Sequence, residues 1–83
     1  MSLEMLKSAK KSIGVKQTTK AVEKGLAAHV FIARDADERV VSPIRLLCSQ
    51  KGLPVDDNVS MAELGKACAI DVGAAAAAAL KPS

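Results

Sequence analysis

The stretch whose residue types and spacing could do chemistry is Gly14-Val15-Lys16-Gln17-Thr18-Thr19-Lys20. It puts a glycine at the expected start of a helix. Lys16, Gln17 and Lys20 then fall on one face of the first turn and a half. A helix start carries unpaired N–H groups and a partial positive charge. Two ammonium groups and an amide added to it make a site for phosphates and base edges. The rest of the chain offers nothing of similar quality. It has no Ser/His/Asp set, no phosphate-cradling glycine loop and no pair of catalytic carboxylates, so an enzyme is not expected. Asp35-Ala36-Asp37-Glu38 has the charge to attract a cation but lacks the rest of a calcium loop.

The elements that must hold this stretch in place are legible on either side of it. Leu3, Leu6, Ala9 and Ile13 recur at spacings of three and four and predict an amphipathic first helix. Ser12-Ile13-Gly14 leaves room for no more than a brief strand. A second helix runs from about Val15 to Lys24, and Gly25 ends it. His29 to Ala33 is apolar and rich in β-branched residues, which predicts a buried strand. The charged loop Arg34 to Arg39 follows, and Ser42-Pro43 has the form of an N-cap with proline at the first helical position. Ile44, Leu47 and Cys48 form the apolar stripe of that helix, and Gly52 closes it. Leu53-Pro54-Val55 predicts a short strand, which Pro54 confines to an edge or to a strand start. Ser60-Met61-Ala62-Glu63 is a capping box opening a helix with Leu64, Ala67 and Cys68 inward. The alanine run Ala74 to Ala79 has helical propensity, yet the helix–strand alternation needs a central strand there. The pattern therefore predicts helices on both faces of a small mixed sheet. Ligands in such folds gather where strands end and helices begin, here the loops 12–16, 34–38 and 57–61.

Composition narrows the partners. The chain has 83 residues and 49% hydrophobic content, enough for one folded domain, expected to cover 1–83. Phe31 is its one aromatic residue, which excludes recognition by aromatic stacking on splayed bases. Residues 1–25 carry six lysines and two glutamates, whereas residues 26–83 carry six basic and seven acidic residues. That asymmetry points to an anionic partner near the first quarter. Cys48 and Cys68 lie in apolar helical patterns without zinc spacing, so buried thiols are expected rather than a metal site or a disulfide. Neither a signal peptide nor a membrane-spanning segment is expected from this sequence. These features suggest a cytoplasmic protein needing no cofactor and no metal.

Three collinear stretches resemble the kink-turn-binding ribosomal proteins, the L-seven-Ae and L-thirty-e family. Gly14 to Gly25 is similar to the family's RNA-docking helix. Ile32-Ala33-Arg34-Asp35-Ala36-Asp37 resembles its second-strand exit. Glu63 to Cys68 followed by Val72-Gly73-Ala74-Ala75-Ala76 resembles its last helix and last strand. The small size and the Lys-Gln pair are most similar to the bacterial, ribosomal-protein-like branch. The resemblance implies a three-layer α/β/α sandwich with a small mixed four-stranded sheet, and it resolves the alanine run as a strand. It further implies a monomer that binds kink-turn RNA, in ribosomal RNA or in riboswitch or leader RNA.

Carried over by motif, Gly14, Val15, Lys16, Gln17 and Lys20 would enter the widened groove beside tandem G·A pairs. Asn58, Val59, Ser60 and Met61 would cover an extruded nucleotide, and Arg34 and Asp35 would flank the groove. Archaeal and eukaryotic members have Asn-Glu where this chain has Lys16-Gln17, which changes the donors available to guanine. Arg34 replaces an acidic residue of those lineages. Each residue also has a plainer role. Gly14 relieves a tight turn, Lys16 and Lys20 are solvated, Gln17 favours helix, and Ser60 caps. Met61 fills core, Arg34 pairs with Asp37, and His29 packs at a strand edge. A small interaction module that holds an acidic protein is the rival reading.

Overall fold

The computed structural model describes residues 2–82. Its elements run α1 (Leu3–Ser8), β1 (Lys11–Ile13), α2 (Val15–Glu23), β2 (Ala27–Ala33), α3 (Glu38–Lys51), β3 (Val55–Val59), α4 (Met61–Ala67) and β4 (Ala76–Leu80). The sheet order is β1-β4-β2-β3. β4 is antiparallel to both β1 and β2, and β2 is parallel to β3, so the sheet is mixed. This is the α/β/α sandwich expected. One apolar layer joins α2 and α3 to the sheet through Val22, Val30, Ile32, Val41 and Ile44. The other joins α1 and α4 through Leu6, Phe31, Val59 and Leu64.

The alanine run occupies the centre. Ala76 and Ala78 face the first layer, Ala77 and Ala79 the second, and all four are fully buried. Alanine prefers helix in isolation. Here two helical layers press on one strand, and methyl side chains let both approach.

Three local expectations need correction. The first helix stops at Ser8, so Ala9 and Ile13 lie beyond it, and Ile13 belongs to β1. The apolar spacing persists because both residues still pack on the α1/α4 layer. Lys11 helps end that helix by donating from Nζ to the carbonyls of Leu6, Lys7 and Ala9 at 3.1–3.2 Å. The third helix begins at Glu38, not at Ser42-Pro43. Asp37 is its cap, with Oδ1 accepting from the Arg39 N–H at 2.9 Å, and Pro43 lies inside it. An interior proline removes one helical hydrogen bond. Burial of Val41, Ile44 and Cys48 beneath the helix offsets that loss. His29 packs against Phe31, with ring centroids 4.9 Å apart, but β2 is an inner strand and not an edge.

Other boundaries fall where the residue types place them. Gly52 closes α3 in the left-handed conformation at φ 68°. β3 starts directly after Pro54 and is an edge strand. Cys48 and Cys68 are buried and free, and burial raises both thiol pKa values. Among the described residues, no helix is long and apolar enough to cross a membrane.

Candidate nucleic-acid interface

The topology brings all three candidate segments to one end of the sheet, although residues 57–59, expected as loop, are the end of the β3 edge strand. β1, β2 and β3 finish there, and β4 starts there, as the pairings Ile13 with Ala77, Ile32 with Ala76 and Ala33 with Val59 require. Three helices, α2, α3 and α4, begin at this end, and α2 and α4 carry the candidate residues.

The start of α2 is open. Gly14 takes φ 93° and ψ 162°, a conformation that side chains rarely adopt. A Cβ there would meet nothing within 4 Å, so the demand for glycine is conformational and not steric. Its N–H donates to the Ala76 carbonyl at 2.8 Å, and its carbonyl accepts from Thr18 N at 2.9 Å. This pins the helix start to the central strand. No side chain caps the helix. Among the described residues, the N–H groups of Val15, Lys16 and Gln17 have no acceptor. Lys16, Gln17 and Lys20 are exposed. Among the described residues, neither lysine enters an ion pair. Val15 is half-buried against the α2/α3 layer. Thr18 is fully buried, and its Oγ1 finds no partner.

The start of α4 is closed by a network. Ser60 Oγ accepts from the Glu63 N–H at 3.1 Å, and Glu63 Oε1 accepts from the Ser60 N–H at 2.9 Å. Asp35 Oδ1 accepts from the Met61 N–H at 2.8 Å. Arg34 Nη1 donates to the Asn58 carbonyl at 3.1 Å and to Glu63 Oε1 at 3.3 Å. Arg34 N–H also donates to the Val59 carbonyl at 2.8 Å, continuing the β2/β3 pairing. The Ser60 N–H, then its hydroxyl, then Arg34 hold the Glu63 carboxyl below its ordinary pKa. Arg34 therefore pairs with Glu63, whereas Asp37 pairs with Arg39 at 2.9 Å. Val59 is buried, Met61 and Ser60 are half-buried, and Asn58 and Asp35 are exposed. Arg45 adds a second brace, binding Glu38 at 2.8 Å and Asp57 at 3.0 Å.

Sequence reasoning missed two parts of this end. Glu63 serves as both cap and anchor for Arg34, although the capping box alone announces only the first role. The segment before β4 also lies here. Ala74 N–H donates to the Met61 carbonyl at 3.1 Å, and Val72 is 70% exposed. The available signal was Gly65, a poor helix residue in mid-helix. A Cβ on Gly65 would overlap the Val72 carbonyl oxygen, so its glycine permits close approach of α4 to this segment.

Fold and site together define a three-layer α/β/α domain with an uncapped, lysine-bearing helix start beside a braced loop. The model of the Ribosomal protein L7Ae/L30e/S12e/Gadd45 family matches residues 3–83, and the chain belongs to that family. An RNA-binding protein of Geobacillus kaustophilus is 44% identical over 82 residues, 98% of this chain and 100% of that protein. An RNA-binding protein of Caldanaerobacter subterraneus subsp. tengcongensis is 49% identical over 69 residues, covering 83% of this chain and 84% of the relative. Among solved structures, the 15.5kD RNA binding protein of Giardia lamblia superposes with a TM-score of 0.87 at 32% identity. That match covers 98% of this chain and 72% of the other.

Proposed function

We propose that this chain is a monomeric RNA-binding protein, not an enzyme, that recognises and stabilises kink-turns. Its target would be cytoplasmic ribosomal RNA or a riboswitch or leader RNA. One observation carries the reading. Among the described residues, three unpaired amides and two unpaired lysines converge at the start of α2, at the same end of the sheet as a braced second helix start. The family and the names of the relatives support RNA as the ligand class.

The mechanism is selection of a bent state. A kink brings two phosphate backbones together, and their repulsion opposes it. Lys16, Lys20 and the α2 amides would offset that repulsion, and Gln17 would offer an amide to base edges. Val59 and Met61 would give an apolar cover to an unstacked base. Moving an equilibrium from 1:99 to 99:1 takes about 5.5 kcal/mol of differential affinity. Charge-assisted hydrogen bonds contribute about 1.5–3 kcal/mol each, so two to four suffice.

The test compares binding to a standard kink-turn with binding to the same RNA lacking its G·A pairs, by mobility shift or fluorescence. Preference for the intact motif is the expected result. Equal affinity for both RNAs would overturn the kink-turn assignment, and failure to bind either while capturing acidic polypeptides would favour the protein-partner reading.

A further inference from the structure

A cleft of about 200 Å³ lies on the flank of α2, away from the braced loop. It is lined by Gln17, Lys20, Ala21 and Lys24 together with Ser12, Leu26 and Leu80. Leu26 is 51% exposed, a large apolar side chain left open between ammonium groups. The backbones of two further exposed lysines are bonded to lining residues. The Leu80 N–H donates to the Lys10 carbonyl and the Lys81 N–H to the Leu26 carbonyl, both at 2.8 Å. Among the described residues, none lining the cleft is acidic.

We propose that this cleft seats an unpaired nucleotide of the bound RNA, on the strand leaving the kink along α2. The inference rests on the RNA-binding reading above. Three observations select this occupant. Lys20 and Lys24 in the lining suit a phosphate, and Leu26 and Leu80 suit a base face. The cleft is open and smaller than the roughly 300–1,000 Å³ typical of sites for free small molecules. A base tethered by its own chain needs no deeper pocket. The cleft is also continuous with the helix start, because Gln17 and Lys20 belong to both. Lys16, Lys20 and Lys24 follow one another at intervals of four along one side of α2, spanning about 12 Å of axis. A strand gripped at the first would pass the second and reach the third.

The experiment uses a blunt-ended kink-turn RNA and two versions carrying a four-uridine extension, one at each 3′ end. One extension should tighten binding three- to tenfold, shift the methyl resonances of Leu26 and Leu80, and steepen the salt dependence by about 0.7 per added phosphate. Lys24→Gln should erase that gain while binding the blunt RNA as the natural protein does. If neither extension tightens binding or moves those methyls, or if Lys24→Gln keeps the gain, the cleft assignment is overturned and the RNA-binding reading stands. If the blunt RNA does not bind at all, the RNA-binding reading falls first.

Discussion

Two helices begin at one end of the sheet, on its opposite faces, and solve the same problem in opposite ways. At α4, Asp35 and Ser60 take the Met61 and Glu63 amides, Glu63 takes that of Ser60, and Arg34 ties the cap to the end of β3. At α2, glycine supplies the turn and no side chain supplies a cap. With glycine in place of a capping side chain, the helix start forgoes only about a few tenths of a kcal/mol of stabilisation. The two starts therefore divide the work. One is finished internally; on the proposed reading it would contribute shape, and the other would take an outside anion and contribute affinity.

Gly65→Ala should have the largest effect, and on the closed start. A methyl there meets the Val72 backbone oxygen, which cannot swing aside as a side chain tip would. We expect a loss of about 3 kcal/mol, read by chemical denaturation. Unchanged stability would mean that the 71–73 segment is not held as described.

Lys16→Ala combined with Lys20→Ala addresses the open start. Kink-turn affinity should fall on the order of 100-fold, with a shallower salt dependence and a melting temperature close to that of the natural protein. Loss of folding, or full retention of affinity, would break the division of labour.

Met61→Asp separates shape from affinity. Preference for kinked over straight RNA should fall by about tenfold, while binding to straight RNA changes little. Equal losses on the two RNAs would show that the loop contributes no selectivity.

Acidification offers a smaller effect that spares both starts. His29 has its pKa lowered from 6.5, mainly by burial, with Asp56 opposing, and its Nε2 finds no partner. The unfolded chain thus binds the proton more readily than the folded one. Stability is fully present above about pH 6.5 and declines as pH falls through that value. Glu63 and Asp37, with pKa values lowered from 4.5 and 3.8, stay ionised at pH 5.5. The melting temperature should therefore drop modestly between pH 7.5 and 5.5, and His29→Gln should flatten that dependence.

The smallest expected effect is at Thr18→Val. Removing a buried hydroxyl without a partner should raise stability by about 1 kcal/mol, with RNA affinity unchanged. A loss of affinity would show that the hydroxyl shapes the open start.

Both helix starts were legible because each depends on short-range chemistry. Gly14 and the Ser60–Glu63 box act within three residues of their own positions. The α3 start was misread for the same reason. Ser42-Pro43 satisfies a local rule, yet the sheet beneath retains the turn before it, and Asp37 caps five residues earlier. The alanine strand lay beyond local rules altogether. Its propensity argues for helix, and only the two layers that close over it make it a strand. The Arg34–Glu63 pair was hidden because 29 residues separate its members. The cleft was hidden because it joins β1, α2 and the end of β4.

Four consecutive alanines at the centre of a sheet carry no message about alignment. Sliding most strands by one position exchanges apolar for polar side chains; sliding this one exchanges methyl for methyl. Only its ends can tell the chain where to stop, with Leu80 at one and the tight passage of Gly65 past Val72 at the other. Lengthening or shortening the run by one alanine would leave every methyl a place to pack and displace only those stops. Such variants should fold into mixtures of offset pairings, visible as doubled amide resonances along β1 and β2.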